Sequence, residues 1–251
     1  MAASVILPLY VYPSAGAWEP LREMASSYPH VHFTAIVNPH NGPGGGALPN
    51  EDYAQAIRAL NSLNNVRTIG YVSTTWCSKT VESVLDEIAL YDGWGQSDPS
   101  LAMGGIFFDE TPTRYSPENI SYLLTISHAV HDQHGLKDGF VVHNPGAVPE
   151  AQYFVDPTFK QAADLTIIFE DTYDHWTRNA DALIKATESY DRSKLAAMLH
   201  TTPQLNTTDT EETLRRVLAL GRSFWLTQTR DYTGIDTYFR VFMDSLNKLL
   251  S

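Results

Sequence analysis

Eight times along its 251 residues the chain repeats one unit: a short β-branched and aromatic run, a polar or Pro/Gly break, then an amphipathic stretch. The runs are Val5–Tyr12, Val31–Val37, Thr68–Ser73, Met103–Phe108, Phe140–His143, Leu165–Phe169, Leu195–His200 and Phe224–Gln228. Each is bounded by turn residues, as strands are. Between them apolar residues recur three and four apart, which puts them on one helical face: Tyr53, Ile57 and Leu60; Val81, Val84 and Ile88; Leu123, Ile126 and Val130; Leu214, Val217 and Leu218; Phe239, Phe242 and Leu246. Ser116-Pro117 reads as a helix cap followed by proline in the first turn, and Asp209 with Glu212 as a capping box. The interval after the fifth strand is weakest, with Pro157–Ala163 allowing only a short helix.

Eight strand–helix units without a linker predict an α/β fold, a single (β/α)8 TIM barrel over residues 1–251. The competing arrangement is an open doubly wound sheet, whose phosphate fingerprint is missing. Gly42-Pro-Gly-Gly-Gly46 has neither the GxGxxG spacing nor a Lys-Ser/Thr ending, and reads as a wide loop.

Composition narrows the partners. With 17 basic against 29 acidic side chains the net charge is −12, which repels phosphate backbones and argues against nucleic acid. The single cysteine, Cys77, has no disulfide partner within the chain and reads as a small buried hydrophobe. No apolar run approaches the roughly 18 residues of a membrane span. Val5 to Val11 lacks the basic flank of a signal peptide and reads as a core strand, so any targeting segment would lie outside this sequence. Asn119-Ile-Ser and Asn206-Thr-Thr have the pattern of glycosylation acceptor triplets, and the protein is expected to be secreted or at the cell surface, as a monomer.

In a barrel, reactive groups gather where strands end at the carboxyl face. Those ends carry Asn38-Pro-His40-Asn41, Tyr71-Val-Ser73-Thr74, Asp109-Glu110, His143-Asn144, Glu170-Asp171, His200-Thr201 and Gln228, with Tyr232 nearby. An apolar run that stops abruptly in two carboxylates is costly unless the acids face a cleft or have partners. This happens twice, at Gly105-Ile-Phe-Phe-Asp109-Glu110 and Thr166-Ile-Ile-Phe-Glu170-Asp171. Neighbouring strand residues point to opposite faces, so the members of each pair should differ in role. Acids facing each other across the mouth are what glycoside hydrolysis needs: one protonates the departing oxygen, the other attacks the anomeric carbon or activates water. Tyr10, Tyr12, Trp76, Tyr173, Trp176, Trp225 and Tyr232 are aromatic candidates for stacking on sugar faces. His40, His143 and His200 could instead hold a metal, as in a metal-dependent sugar deacetylase. No Gly-x-Ser-x-Gly elbow supports a serine hydrolase.

The segments Tyr10-Val-Tyr-Pro13, Ile36-Val-Asn-Pro-His-Asn-Gly-Pro-Gly44, Gly70-Tyr-Val-Ser-Thr74, Gly105-Ile-Phe-Phe-Asp-Glu110, His143-Asn-Pro-Gly146 and Phe169-Glu170 resemble the spherulation-specific (spherulin-four-like) family. That resemblance implies a (β/α)8 barrel and, from the family's fungal members, an endo-acting α-1,4-N-acetylgalactosaminidase that cleaves the exopolysaccharide galactosaminogalactan. Its acidic trio falls on Asp109, Glu110 and Glu170. The expectation is therefore a retaining glycoside hydrolase without cofactor or metal, one catalytic domain, with Asp109 as nucleophile and Glu170 as general acid/base. Glu110 would orient Asp109 or bind a hydroxyl, or exchange roles with Glu170. Asn38, His40, Tyr71, His143, Asn144, Asp171 and Tyr232 would contact the sugar. An assisted mechanism through the substrate's acetamide and a non-catalytic carbohydrate-binding or wall protein on the same barrel are the alternatives.

Overall fold

The computed structural model describes residues 3–159 and 161–250. Eight parallel strands close into one barrel in chain order: β1 (Ser4–Leu9), β2 (His32–Val37), β3 (Val66–Ser73), β4 (Gly105–Asp109), β5 (Phe140–His143), β6 (Leu165–Thr172), β7 (Leu195–His200) and β8 (Ser223–Leu226). The ring shuts where Ser4 faces Ser223 and Val5 faces Phe224. Helices α1 (Glu19–Ser27), α2 (Glu51–Asn61), α3 (Val81–Ser97), α4 (Pro117–His131), α5 (Gln152–Val155), α6 (Tyr173–Ala186), α7 (Thr207–Leu220) and α8 (Tyr238–Leu250) alternate with the strands. This is the (β/α)8 barrel that the repeated unit predicts. No described helix is long and apolar enough to cross a membrane.

Strands covered on both faces read as continuous apolar runs. In β7 Leu195 through Leu199 are all buried, and so are Val5 through Leu9 of β1. Each such Val, Leu, Ile or Phe contributes about 1.5–3 kcal/mol relative to exposure. Side-chain caps start the helices: Asn50 accepts from the Tyr53 N–H, Ser116 from Asn119 and Thr172 from His175. Gly105 is where β4 lies against β5. A Cβ there would sit 1.9 Å from the Phe140 carbonyl oxygen, so alanine would force the two strands apart.

Several boundaries differ from expectation, four of them informatively. β1 stops at Leu9, so Tyr10 belongs to the mouth. β6 continues to Thr172, with a bulge between Ile167 and Phe169, so Glu170 and Asp171 are strand residues. The helix after β5 precedes Pro157 instead of following it. Proline disfavours helical geometry at Asp156, whose carboxylate accepts from the Thr158 and Phe159 N–H groups in a turn. The cap of α7 lies three residues before Asp209: Asn206 accepts from the Asp209 N–H at 2.9 Å and donates to the Asp209 carboxylate at 2.8 Å.

Candidate active site

Asp109 ends β4 and Glu170 lies two strands away on β6, and the carboxylates of both reach one side chain, Asn144, just past β5. The Asn144 amide nitrogen donates to Asp109 Oδ1 at 2.7 Å and to Glu170 Oε2 at 2.6 Å. By the sum of those two bonds the carboxylate oxygens are at most about 5.3 Å apart. Asn144 cannot turn over, because its carbonyl oxygen accepts the Gly146 N–H at 3.0 Å. Gly146 turns with φ +66°, a conformation that suits glycine, and its carbonyl accepts the Glu170 N–H at 2.8 Å. The loop after β5 thus fixes both the bridge and the acid on the next strand.

The two bridged acids are not equivalent. Asp109 also accepts from the Tyr71 hydroxyl at 2.7 Å and the Glu110 N–H at 2.9 Å, whereas among the described residues Asn144 alone is hydrogen-bonded to the Glu170 carboxylate. Burial pushes the Asp109 carboxyl up, against the pull of Tyr71, the Glu110 N–H and Asn144. Burial likewise raises Glu170, with the Asp109 charge adding to it and Asn144 opposing. Three donors favour the anion at Asp109, whereas at Glu170 Asn144 and the neighbouring Tyr232 oppose the rise.

The outer acids have local partners. Glu110 sits at φ +54° and its carboxylate accepts from the Ser73 hydroxyl at 2.5 Å. Asp171 leans over the rim toward α6, accepting from the Thr172 N–H and pairing with His175, both at 2.6 Å. Partial burial would raise the Asp171 carboxyl, but the Thr172 N–H and His175 outweigh it and hold it low.

Aromatic rings wall the inner pair. Tyr10 meets Tyr71 and Tyr232 edge to face, with centroids 5.6 and 5.9 Å apart. Tyr232 has φ +57°, and its buried hydroxyl faces Glu170 without reaching hydrogen-bond geometry. Burial, then the Glu170 charge, pushes that phenol far up, so Tyr232 remains a neutral donor.

On the other side the β3–α3 loop runs in the left-handed region for three consecutive residues, Thr75, Trp76 and Cys77, at φ +49°, +52° and +64°. For non-glycine residues this costs roughly 1–2 kcal/mol each. Hydrogen bonds to the tip of β4 offset it: Thr74 N–H to the Asp109 carbonyl at 3.0 Å, and Trp76 N–H to the Glu110 carbonyl at 2.7 Å. The Thr74 hydroxyl bonds both carbonyls. Burial pushes the Cys77 thiol up to about 12, which disfavours the nucleophilic thiolate.

The structure thus brings together Asp109, Glu110, Glu170, Tyr71, Asn144 and Tyr232, and moves other candidates away. His143 is buried in the barrel wall, bonded to Ser127 of α4 at 3.0 Å and packed on Phe108 and Phe159. Asn144 points inward, so the residue before it must point outward. Burial pushes His143 down to about 3, so it is neutral. Asp171 is turned out by the same alternation. Asn38 is occupied in its own loop, accepting the Gly42 N–H at 2.9 Å, and His40 is exposed on that loop. His40, His143 and His200 do not converge, and no metal-binding group of three acids, histidines or cysteines exists among the described residues. Trp176 and Trp225 are core residues against Phe169 and Phe239. Ser73, named in the sequence only as part of the end of the third strand and not as a site candidate, joins the site through Glu110, two residues from Tyr71 on the same strand face. A flank cavity of about 450 Å³, lined by Tyr153, Phe154, Phe159 and Tyr190, opens where α5 is only four residues long, and none of the three acids lines it.

Residues 4–246 match the family described as spherulation-specific family 4. The crystal structure of Aspergillus clavatus Sph3 in complex with GalNAc superimposes with a TM-score of 0.91 at 34% identity, covering 98% of this chain and 97% of that one. The structure of Cel5A (EG2) from Hypocrea jecorina shares the fold, with a TM-score of 0.53 at 11% identity over 94% of this chain and 91% of that one. No curated protein sequence matches.

Proposed function

This chain belongs to spherulation-specific family 4, and from that membership and the bridged carboxylates we propose that it is a glycoside hydrolase. In this reading it cleaves internal α-1,4 linkages of an N-acetylgalactosamine-containing exopolysaccharide, galactosaminogalactan, with retention, outside the cell. The observation that carries the proposal is the single Asn144 amide between Asp109 and Glu170. The upper bound it sets, about 5.3 Å between the bridged oxygens, falls well short of the 6.5–9.5 Å of inverting pairs and agrees with the closer spacing of retaining ones. The GalNAc bound by Aspergillus clavatus Sph3, at 34% identity, supports the sugar.

Asp109, held as the anion by Tyr71, the Glu110 N–H and Asn144, attacks the anomeric carbon. Glu170, raised by burial and by the Asp109 charge, gives its proton to the departing oxygen. It then takes a proton from the water that releases the sugar from Asp109. Glu110, anchored by Ser73, supplies the N–H that steadies Asp109. Acetamide assistance does not suit an α linkage, because the 2-acetamido carbonyl reaches the anomeric carbon from the face by which the α leaving group departs. The test is product analysis after incubation with galactosaminogalactan, wild type beside Glu170→Gln. Oligosaccharides from the wild type alone are expected, whereas equal products or none from both would refute the assignment.

A further inference from the structure

The mechanism leaves unused the most exposed aromatic side chain among the described residues. Trp76 is 61% exposed, whereas the other four tryptophans, Trp18, Trp94, Trp176 and Trp225, are buried. It makes no ring contact with a described aromatic residue, and most of its surface is open to solvent. The backbone beneath it is left-handed from Thr75 to Cys77, with no glycine to ease that conformation. The turn is held by the carbonyls of Asp109 and Glu110, through Thr74 and the Trp76 N–H. The backbone of Trp76 is therefore tied to the same strand tip that carries Asp109. Two further exposed apolar side chains, Leu48 and Tyr12, lie on the loops after β2 and β1, so such groups follow successive loops around this arc of the mouth.

We propose that Trp76 is a stacking platform for a hexosamine ring in a subsite beside the scissile bond, with the polymer continuing over the rim toward Tyr12. A galacto-configured ring suits it: the axial O4 leaves one face of C–H groups over C3, C4 and C5, and such a face packs on an indole. A platform outside the carboxylate pair grips sugars on an uncut chain, as internal cleavage requires. This inference rests on the hydrolase reading of the same mouth.

The test uses Glu170→Gln, the full chain, with an α-1,4-linked N-acetylgalactosamine hexasaccharide and acrylamide quenching of tryptophan fluorescence. Because Trp76 is the exposed tryptophan, quenching reports on it, and saturating hexasaccharide is expected to suppress most of it. Trp76→Phe should remove that response. In the otherwise unaltered enzyme, Trp76→Ala should lower kcat/KM on the polymer about five- to tenfold through KM, and Trp76→Phe should recover most of the loss. Quenching unchanged by hexasaccharide, in a protein whose wild type hydrolyses the polymer, would overturn the platform alone. Absence of both protection and wild-type hydrolysis would overturn the platform and the hydrolase reading together.

Discussion

β4 and β6 each bring two adjacent carboxylates to the mouth, and the members of each pair meet opposite surroundings. Asp109 and Glu170 face inward, are raised by burial and share one amide donor. Glu110 and Asp171 turn aside, each satisfied by a neighbour, Ser73 or His175. The difference arises from strand alternation, sharpened by the left-handed φ of Glu110 and the bulge in β6. Four acids of similar chemistry thus become two candidates for bond cleavage and two supports.

Removing an inner acid should break this contrast most severely. Glu170→Gln and Asp109→Asn are each expected to lower kcat by about 10²–10⁴-fold with the fold intact by circular dichroism. A loss under tenfold would contradict the role of that acid.

The bridge comes next. Asn144→Ala removes a donor from both inner acids and should cost roughly 10–10²-fold in turnover, as hydrogen bonds to charged groups are worth about 1.5–3 kcal/mol each. In the proposed mechanism activity would appear as Asp109 ionises and disappear as Glu170 ionises, and Asn144 lowers both carboxyls. Both limbs of the pH–rate profile should therefore move to higher pH in the variant. Unmoved limbs would mean the amide does not act on the acids.

His143 sharpens the comparison from the far side of the wall. His143→Ala should destabilise the protein by about 1–3 kcal/mol by orphaning the Ser127 hydroxyl, with turnover per folded molecule retained. The folded histidine is held near 3, below its unfolded value of about 6.5, so the unfolded chain binds the extra proton in between. Its contribution is complete above about pH 6.5 and erodes as pH falls toward 3. Denaturation from pH 7 to 4 should show a shallower loss in the variant. The smallest effect belongs to Asp171→Asn: a half-exposed pair with His175 is worth under about 1 kcal/mol, and turnover should stay within about twofold. A large loss would return Asp171 to the site.

Much of this was legible in the sequence. Parallel strands with two covered faces leave continuous apolar runs such as Ala196-Ala-Met-Leu199, and the abrupt switch to acid at Asp109 and Glu170 marks where those runs meet the mouth. Parity was the weak point. Placing both His143 and Asn144, or both Glu170 and Asp171, in one site contradicts the alternation that separates Asp109 from Glu110. The turn at Thr75–Cys77 was illegible because tertiary bonds to β4, not turn residues, hold it.

The central claim is that Asp109 and Glu170, joined through Asn144, act as a retaining pair. The direct measurement is proton NMR of the first products released from an α-linked N-acetylgalactosamine oligosaccharide, read before mutarotation. The account predicts that the α anomer accumulates first. Initial release of the β anomer would contradict it.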